Sequence, residues 1–127
     1  MTLSTGRRSL VAVVLVCAAA VATSAHAGSP TEDDKAAAET LFREAKKLLS
    51  AGKLNRACSK FDASHKLDPS VGALLNHAAC REKLRQYASA WALFSEAASL
   101  AALRSDRRRR RTAVRRMKAG EVGSQAV

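Results

Sequence analysis

Two cysteines and two histidines lie close together in the middle of this 127-residue chain, and such side chains form disulfides or bind metal ions. Cys58 lies eleven residues before Pro69, and Cys80 lies eleven residues after it. Because proline ends a helix, we expect two antiparallel helices here, in which residues equidistant from the turn lie level with each other. The spacing therefore predicts a Cys58–Cys80 disulfide. Two buried free thiols are the alternative.

His65 and His77 raise the possibility of a zinc site, since imidazole and thiolate are the ligands that zinc prefers. His65 lies four residues before Pro69 and His77 lies eight after it, so the two rings are not level. The spacings between these histidines and the cysteines match no standard zinc site, and a disulfide would consume both thiolates. We therefore expect no metal, and we interpret both histidines as surface or groove residues.

Catalytic patterns are not evident in the sequence. It has no serine, histidine and acidic residue in an ordered catalytic arrangement. It also has no paired carboxylates in an apolar setting and no glycine-rich phosphate loop. We therefore expect a non-enzymatic protein with no cofactor.

The first 27 residues have the features of a secretory signal peptide. Arg7 and Arg8 precede an apolar run, and Ala25 and Ala27 form a small-x-small cleavage site. The run is shorter than the ~20 residues that span a bilayer, although an uncleaved anchor is an alternative. Cleavage after Ala27 would leave 100 residues with two cysteines, an even number that suits an oxidising compartment.

The net charge of +11 is concentrated near the C-terminus. Residues 104–118 hold nine basic side chains and one acidic one, whereas residues 28–103 are nearly balanced, with eleven basic and nine acidic groups. The sequence thus divides into three parts: a signal peptide (1–27), a domain (28–103) and a basic tail (104–127).

The domain has helical periodicity throughout and no alternating strand pattern, so we predict an all-α fold. Ser29, Pro30 and Glu32 form a predicted helix start with a capping box, and Gly52 suits the end of that helix. A second helix is predicted from about residue 55 to 67, where Pro69 forbids its continuation. Ser70 can cap a third helix, and a fourth begins at about residue 88.

The two halves of the domain match at a separation of 33 residues, the period of a two-helix repeat. The matching pairs are Leu41 and Leu74, Phe42 and Leu75, Ala45 and Ala78, Leu54 and Tyr87, Ala57 and Ala90, Phe61 and Phe94, and Ser64 and Ala97. We expect the small residues to let the helices approach closely, and Phe61, Tyr87, Trp91 and Phe94 to fill the spaces between them.

With Gly52 and the string LDP at 67–69, these positions resemble the tetratricopeptide repeat family, in particular the exported repeat proteins of Gram-negative bacteria. The resemblance covers residues 38–102, as repeats of about 38–69 and 71–102. Three positions depart from the family pattern: Leu54 replaces an aromatic residue, Arg85 replaces the turn glycine and Ala102 replaces the closing proline. The resemblance implies two antiparallel helix pairs in a short α-solenoid.

In that family, peptides lie in a groove lined by the first helix of each repeat, and Asn76 matches a position where an asparagine holds the ligand. A packing or solvated role for Asn76 is the alternative. The predicted groove residues are Phe42, Lys46, Leu49, Leu75, Asn76, Ala79 and Lys83. We expect a protein or peptide ligand, without being able to identify it.

The basic tail has two interpretations. It could form a helix capped by Ser105 or Asp106, with Ala113, Val114 and Met117 as a narrow apolar stripe over the last repeat. We favour the other interpretation, a solvated and partly disordered end, because a charge run by itself predicts no structure. The charged residues at issue are Arg107, Arg108, Arg109, Arg110, Arg111, Arg115 and Arg116.

The sequence as a whole favours an exported, non-enzymatic interaction module of the periplasm or cell envelope. The alternative is a basic protein that docks on anionic envelope components through its Arg-rich tail. We do not expect nucleic-acid binding, because no aromatic residues interleave with the arginines, and we expect no transmembrane segment in the mature chain.

Overall fold

The computed structural model describes residues 28–125, and for residues 122–125 it describes the backbone alone. Five helices, each joined to the next by a three-residue turn, make up the described chain: α1 (Glu32–Ser50), α2 (Leu54–Leu67), α3 (Val71–Lys83), α4 (Tyr87–Leu103) and α5 (Arg107–Gln125). No strand forms within residues 28–125. Each helix packs against the one that follows it, as short turns between antiparallel helices require. The predicted all-α fold is confirmed.

The first helix begins two residues later than the sequence analysis predicted. Thr31, not Ser29, is the N-cap: its side chain accepts a hydrogen bond from the amide of Asp34, and the Asp34 carboxylate accepts one from the amide of Thr31. Two overlapping pairs could each have formed a capping box, Ser29 with Glu32 and Thr31 with Asp34. The observed one places Glu32, Asp33 and Asp34 together in the first turn, where the helix dipole favours negative charge. The hydrogen bond from the Thr31 hydroxyl also lowers the pKa of Asp34.

Three of the helices end in the same type of turn, with one residue in the left-handed region. Gly52, Arg85 and Ser105 have φ values of 72°, 59° and 56°. At the end of α1, the amide of Gly52 donates to the carbonyl of Leu49, and the amide of Lys53 donates to that of Leu48, which together form a Schellman motif. The same two bonds recur around Arg85 and Ser105. Arg85, 33 residues after Gly52, thus adopts the backbone conformation that glycine adopts in the first half.

The break between α2 and α3 has the predicted cause. Asp68 is extended, with φ of −137° and ψ of 98°, as expected of a residue before proline. The Ser70 side chain then accepts a hydrogen bond from the amide of Ala73, which caps α3. The third helix therefore begins at Val71, within four residues of the end of α2.

Small residues and two phenylalanines form the core. Nine of the positions that match between the two halves are buried: Ala45, Ala57, Phe61, Ser64, Leu74, Ala78, Ala90, Phe94 and Ala97. The two phenylalanines are at most 2% exposed, and burying each contributes roughly 1.5–3 kcal/mol. The buried hydroxyl of Ser64 keeps a hydrogen-bond partner, because it donates to the carbonyl of Ala38 on α1 at 2.8 Å.

The other two aromatic residues do not fill the core, contrary to the prediction. Tyr87 is 46% exposed and Trp91 is 41% exposed, both on the outer side of α4. The indole Nε1 of Trp91 donates to the Glu121 carboxylate on α5, at 3.3 Å. The amphipathic ring thus packs at the edge of the α4–α5 contact while its polar atom stays near water.

The basic tail forms a helix that packs on α4, so the favoured interpretation is wrong in expecting partial disorder within residues 107–125, although most arginines there are exposed to solvent as expected. The Asp106 carboxylate accepts the amide of Arg109 and caps α5, and this hydrogen bond lowers the pKa of Asp106. Ala113 is fully buried and Met117 packs against the cluster around Phe94, as the alternative helix would have it. Val114, the third residue of the predicted stripe, instead faces outward and is 37% exposed.

Candidate functional site

A groove of about 250 Å³ lies where α1 meets the starts of α3 and α5. It is bounded by α1, by the turn between α2 and α3 with the start of α3, and by the turn into α5. Its lining residues are Lys35, Ala38, Glu39, Phe42, Ser64, Asp68, Ser70, Val71, Gly72, Arg104, Asp106 and Arg109. We refer to this set as the groove.

Opposite charges balance along the groove, and most of them are already paired. Arg109 forms an ion pair with Asp106 at 3.0 Å, and Arg104 donates to the carbonyl of Pro69 at 2.7 Å. Asp68 has no ion-pair partner within the described part of the chain. This balance suits a polar, uncharged or zwitterionic ligand better than a strongly acidic or basic one.

The start of α3 gives the groove backbone donors. The first four amides of a helix, counted from its N-cap, lack intrahelical partners, and here two of them are bonded: that of Ser70 donates to Nδ1 of His65, and that of Ala73 donates to the Ser70 hydroxyl. The other two belong to Val71 and Gly72, which both line the groove. They lie at the positive end of the helix dipole, where a ligand carbonyl or carboxylate is stabilised.

Gly72 also leaves space in the groove. A Cβ atom built at this position meets nothing within 4 Å. Beside it, the Phe42 ring is partly buried and meets the Phe61 ring edge-on, with centroids 5.5 Å apart. The groove therefore combines an aromatic surface and an open backbone.

Among the seven predicted groove residues, Phe42 lines the groove and the other six do not. Leu49 and Leu75 are partly buried against core clusters, and Lys46 and Lys83 are exposed elsewhere. The roles predicted for these six in binding stay predictions.

Asn76 has a partner of its own. Its side-chain amide donates to the carbonyl of Gly72, four residues earlier in α3, at 2.8 Å. The donor is thus occupied inside the helix. The predicted contact of Asn76 with a ligand stays a prediction.

From Phe42, the sequence analysis followed α1 toward its C-terminus, through Lys46 and Leu49, whereas this groove follows α1 in the other direction. The groove face of α1 runs toward the N-terminus, through Glu39, Ala38 and Lys35 at helical spacing, and not toward Lys46. That spacing is visible in the sequence. The contribution of Arg104 and Arg109 to the groove is not visible in the sequence, because it depends on how α5 folds back.

The predicted disulfide is confirmed. Cys58 and Cys80 are bonded, with their Cα atoms 5.6 Å apart, and both are at most 1% exposed. They lie in one core cluster with Ala45, Ala57 and Phe61. The bond joins α2 to α3 and so fixes the two halves of the chain to each other. In this bonded state neither sulfur is available as a thiolate ligand.

The histidines lie in different surroundings. His65 accepts the amide of Ser70 at Nδ1, and its Nε2 lies 3.3 Å from the Glu96 carboxylate of α4. His77, predicted to lie at the surface or in a groove, is only 5% exposed, and its Nε2 accepts from Arg81 at 3.0 Å. Burial, and then the positive charge of Arg81, lower the pKa of His77. No group of three or more His, Cys, Asp or Glu side chains within the described residues is arranged to hold a metal ion.

The arginines of α5 differ in their surroundings. Arg116 faces inward: it pairs with Glu82 of α3 and lies over the Phe94 ring, with its guanidinium carbon 5.1 Å from the ring centroid. Arg109 pairs with Asp106. Arg108 is exposed, and the remaining ones, Arg107, Arg110, Arg111 and Arg115, share one outer face with Val114 and Lys118.

Comparison with models of known protein families, with curated proteins and with solved structures finds no match to this chain. The resemblance to tetratricopeptide repeats therefore rests on the residues alone. Among the described helices, none combines the length and the apolar character needed to cross a membrane.

Proposed function

We propose that this chain is an exported, non-enzymatic, tetratricopeptide-like interaction module that binds a segment of another protein in the groove. The observation that carries the proposal is the meeting of α1 with the starts of α3 and α5 around one open groove. In a stack of helix pairs, the first helices of successive pairs lie on one side, which forms the concave binding surface.

The groove suits an extended peptide. The free amides of Val71 and Gly72 can donate to a ligand carbonyl or carboxylate, and Asp68 can accept from a ligand amide or cation. The Phe42 ring and the Cβ of Ala38 provide an apolar surface for one side chain. Since the charges of the groove are balanced, shape and backbone hydrogen bonds would select the ligand more than net charge would.

The predicted signal peptide, residues 1–27, lies outside the described residues, and export stays part of the proposal. The disulfide supports it, because buried disulfides persist in oxidising compartments such as the periplasm. N-terminal sequencing of the secreted or periplasmic protein tests it: we expect Gly28 as the first residue.

The groove can be tested by filling it. A phage-displayed library of random peptides is selected on the purified chain, and the enriched peptides are titrated against Gly72→Leu. The Cβ of the added side chain meets no atom within 4 Å and Gly72 lines the groove, so we expect the variant to fold and to occlude the groove. We expect at least a tenfold loss of affinity, equivalent to about 1.4 kcal/mol.

Gly120→Leu is the matched control. Gly120 is also helical, and a Cβ there also meets nothing within 4 Å, but it does not line the groove. This variant should bind like the parent. Equal binding by Gly72→Leu and the parent, with both folded, would show that the groove is not the site.

A further inference from the structure

The outer face of α5 is a second, separate surface of uniform charge. Arg107, Arg110, Arg111, Arg115 and Lys118 follow one another at helical spacing and border one shared surface concavity around Val114. They extend over twelve residues, from 107 to 118, which separates the first from the last by roughly 17 Å along the helix. No carboxylate within the described part of the chain pairs with any of the five.

This array is fixed in place by the opposite side of α5. Ala113 is fully buried against α3 and α4, and the Arg116 side chain is held between Glu82 and the Phe94 ring. The helix that carries the five cations is therefore already formed, so its backbone does not need to be ordered on binding, as that of a disordered tail would.

We propose that this face docks on the surface of a bilayer that contains anionic phospholipids. A negatively charged leaflet matches five unpaired cations, each worth about fivefold in binding when it is near the surface. Binding to a planar lipid surface also requires no pocket and no large apolar patch on the protein. A few exposed apolar side chains that insert between the lipids, here called points of insertion, are enough. Val114, in the middle of the cations, and Leu103, 84% exposed at the turn into α5, are such points.

Other occupants fit this face less well. A second copy of the chain would bring like charges together. A stable complex with an acidic protein would need roughly 800 Å² of complementary surface on each partner, with buried anchor residues. Single-stranded nucleic acid would use aromatic side chains between the cations for stacking, and this face has none.

The test is co-sedimentation of the purified chain with vesicles of phosphatidylcholine, with and without phosphatidylglycerol. We expect binding to the acidic vesicles, weakening as salt is added, and no binding to the neutral ones. Arg111→Gln combined with Arg115→Gln should weaken binding about 30-fold, at about fivefold for each residue.

The control removes the same charge elsewhere, through Lys47→Gln combined with Arg56→Gln on α1 and α2. This double variant should bind within about twofold of the parent, because its charges lie outside the α5 face. Circular dichroism verifies that both variants are folded. Three results would each overturn the proposal: no preference for acidic vesicles, equal losses in the two double variants, or tighter binding to a DNA oligonucleotide than to vesicles at the same phosphate concentration.

Discussion

Reducing the Cys58–Cys80 disulfide should remove a large part of the stability of this fold. The bond closes a loop between residues 22 apart in the sequence. Loop closure of this length lowers the entropy of the unfolded chain by about 11 cal/mol/K, which stabilises the folded state by about 3.4 kcal/mol at 25 °C. A domain of this size has a total of roughly 5–15 kcal/mol, so we expect the reduced chain to be marginally stable.

Urea unfolding of the oxidised and reduced chain measures this difference. Circular dichroism reports all the helices, and fluorescence of Trp91, the single tryptophan, reports the α4–α5 contact through its bond to Glu121. Coincident transitions by the two probes would justify a two-state analysis. In thermal melts, the same loss should lower Tm by roughly 14–27 °C, at about 4–8 °C per kcal/mol.

The variant Cys58→Ala combined with Cys80→Ala separates loop closure from packing. Both sulfurs are buried beside Phe61, so their removal should cost more than reduction does, because it also leaves a cavity. If reduction changes the free energy of unfolding by less than about 1 kcal/mol, the loop-closure reasoning is refuted for this chain.

Four further substitutions test the core, two turns and a buried histidine. Phe61→Ala should destabilise the fold by roughly 3–5 kcal/mol in urea unfolding, since the ring is fully buried; a loss near 1 kcal/mol would contradict the core assignment. Arg85→Gly should stabilise the fold by about 0.5–1 kcal/mol by relieving a left-handed arginine, and Gly52→Ala should have the opposite effect; the same sign for both would refute the turn argument. Because the pKa of His77 is lowered in the folded state, the unfolded chain takes up more protons below about pH 6.5, so stability should fall as the pH drops from 7 to 5. The variant His77→Gln should flatten that dependence, and an unchanged slope would assign it to other groups.

Much of the fold could be predicted because local signals agreed with the packing. Pro69 and Ser70 set the break between α2 and α3 from sequence alone, and the level positions of Cys58 and Cys80 followed from that break. The start of α1 was misplaced because Ser29 and Thr31 each begin a capping pattern, and only the contacts decide between them.

The last helix and the groove could not be predicted in the same way. Within the arginine-rich sequence of α5, the local pattern does not settle that Ala113 is buried. The contacts that Arg116 makes to stabilise α5 are with residues distant in the sequence, Glu82 and Phe94. The groove depends on the position of α5 relative to α1, so Arg104 carries no local signal for its role. For Trp91 the sequence analysis predicted burial, whereas the ring lies at the edge of the α4–α5 contact. This position depends on α5, whose Glu121 accepts the hydrogen bond from the indole.

The most direct test of the proposed function is amide hydrogen exchange of the purified chain, with and without a peptide enriched from the library. We predict slower exchange at the start of α3, at Val71 and Gly72, and around Phe42 on α1, with the outer face of α5 unchanged. Protection confined to α5, or to the outer sides of α2 and α4, would contradict binding in the groove.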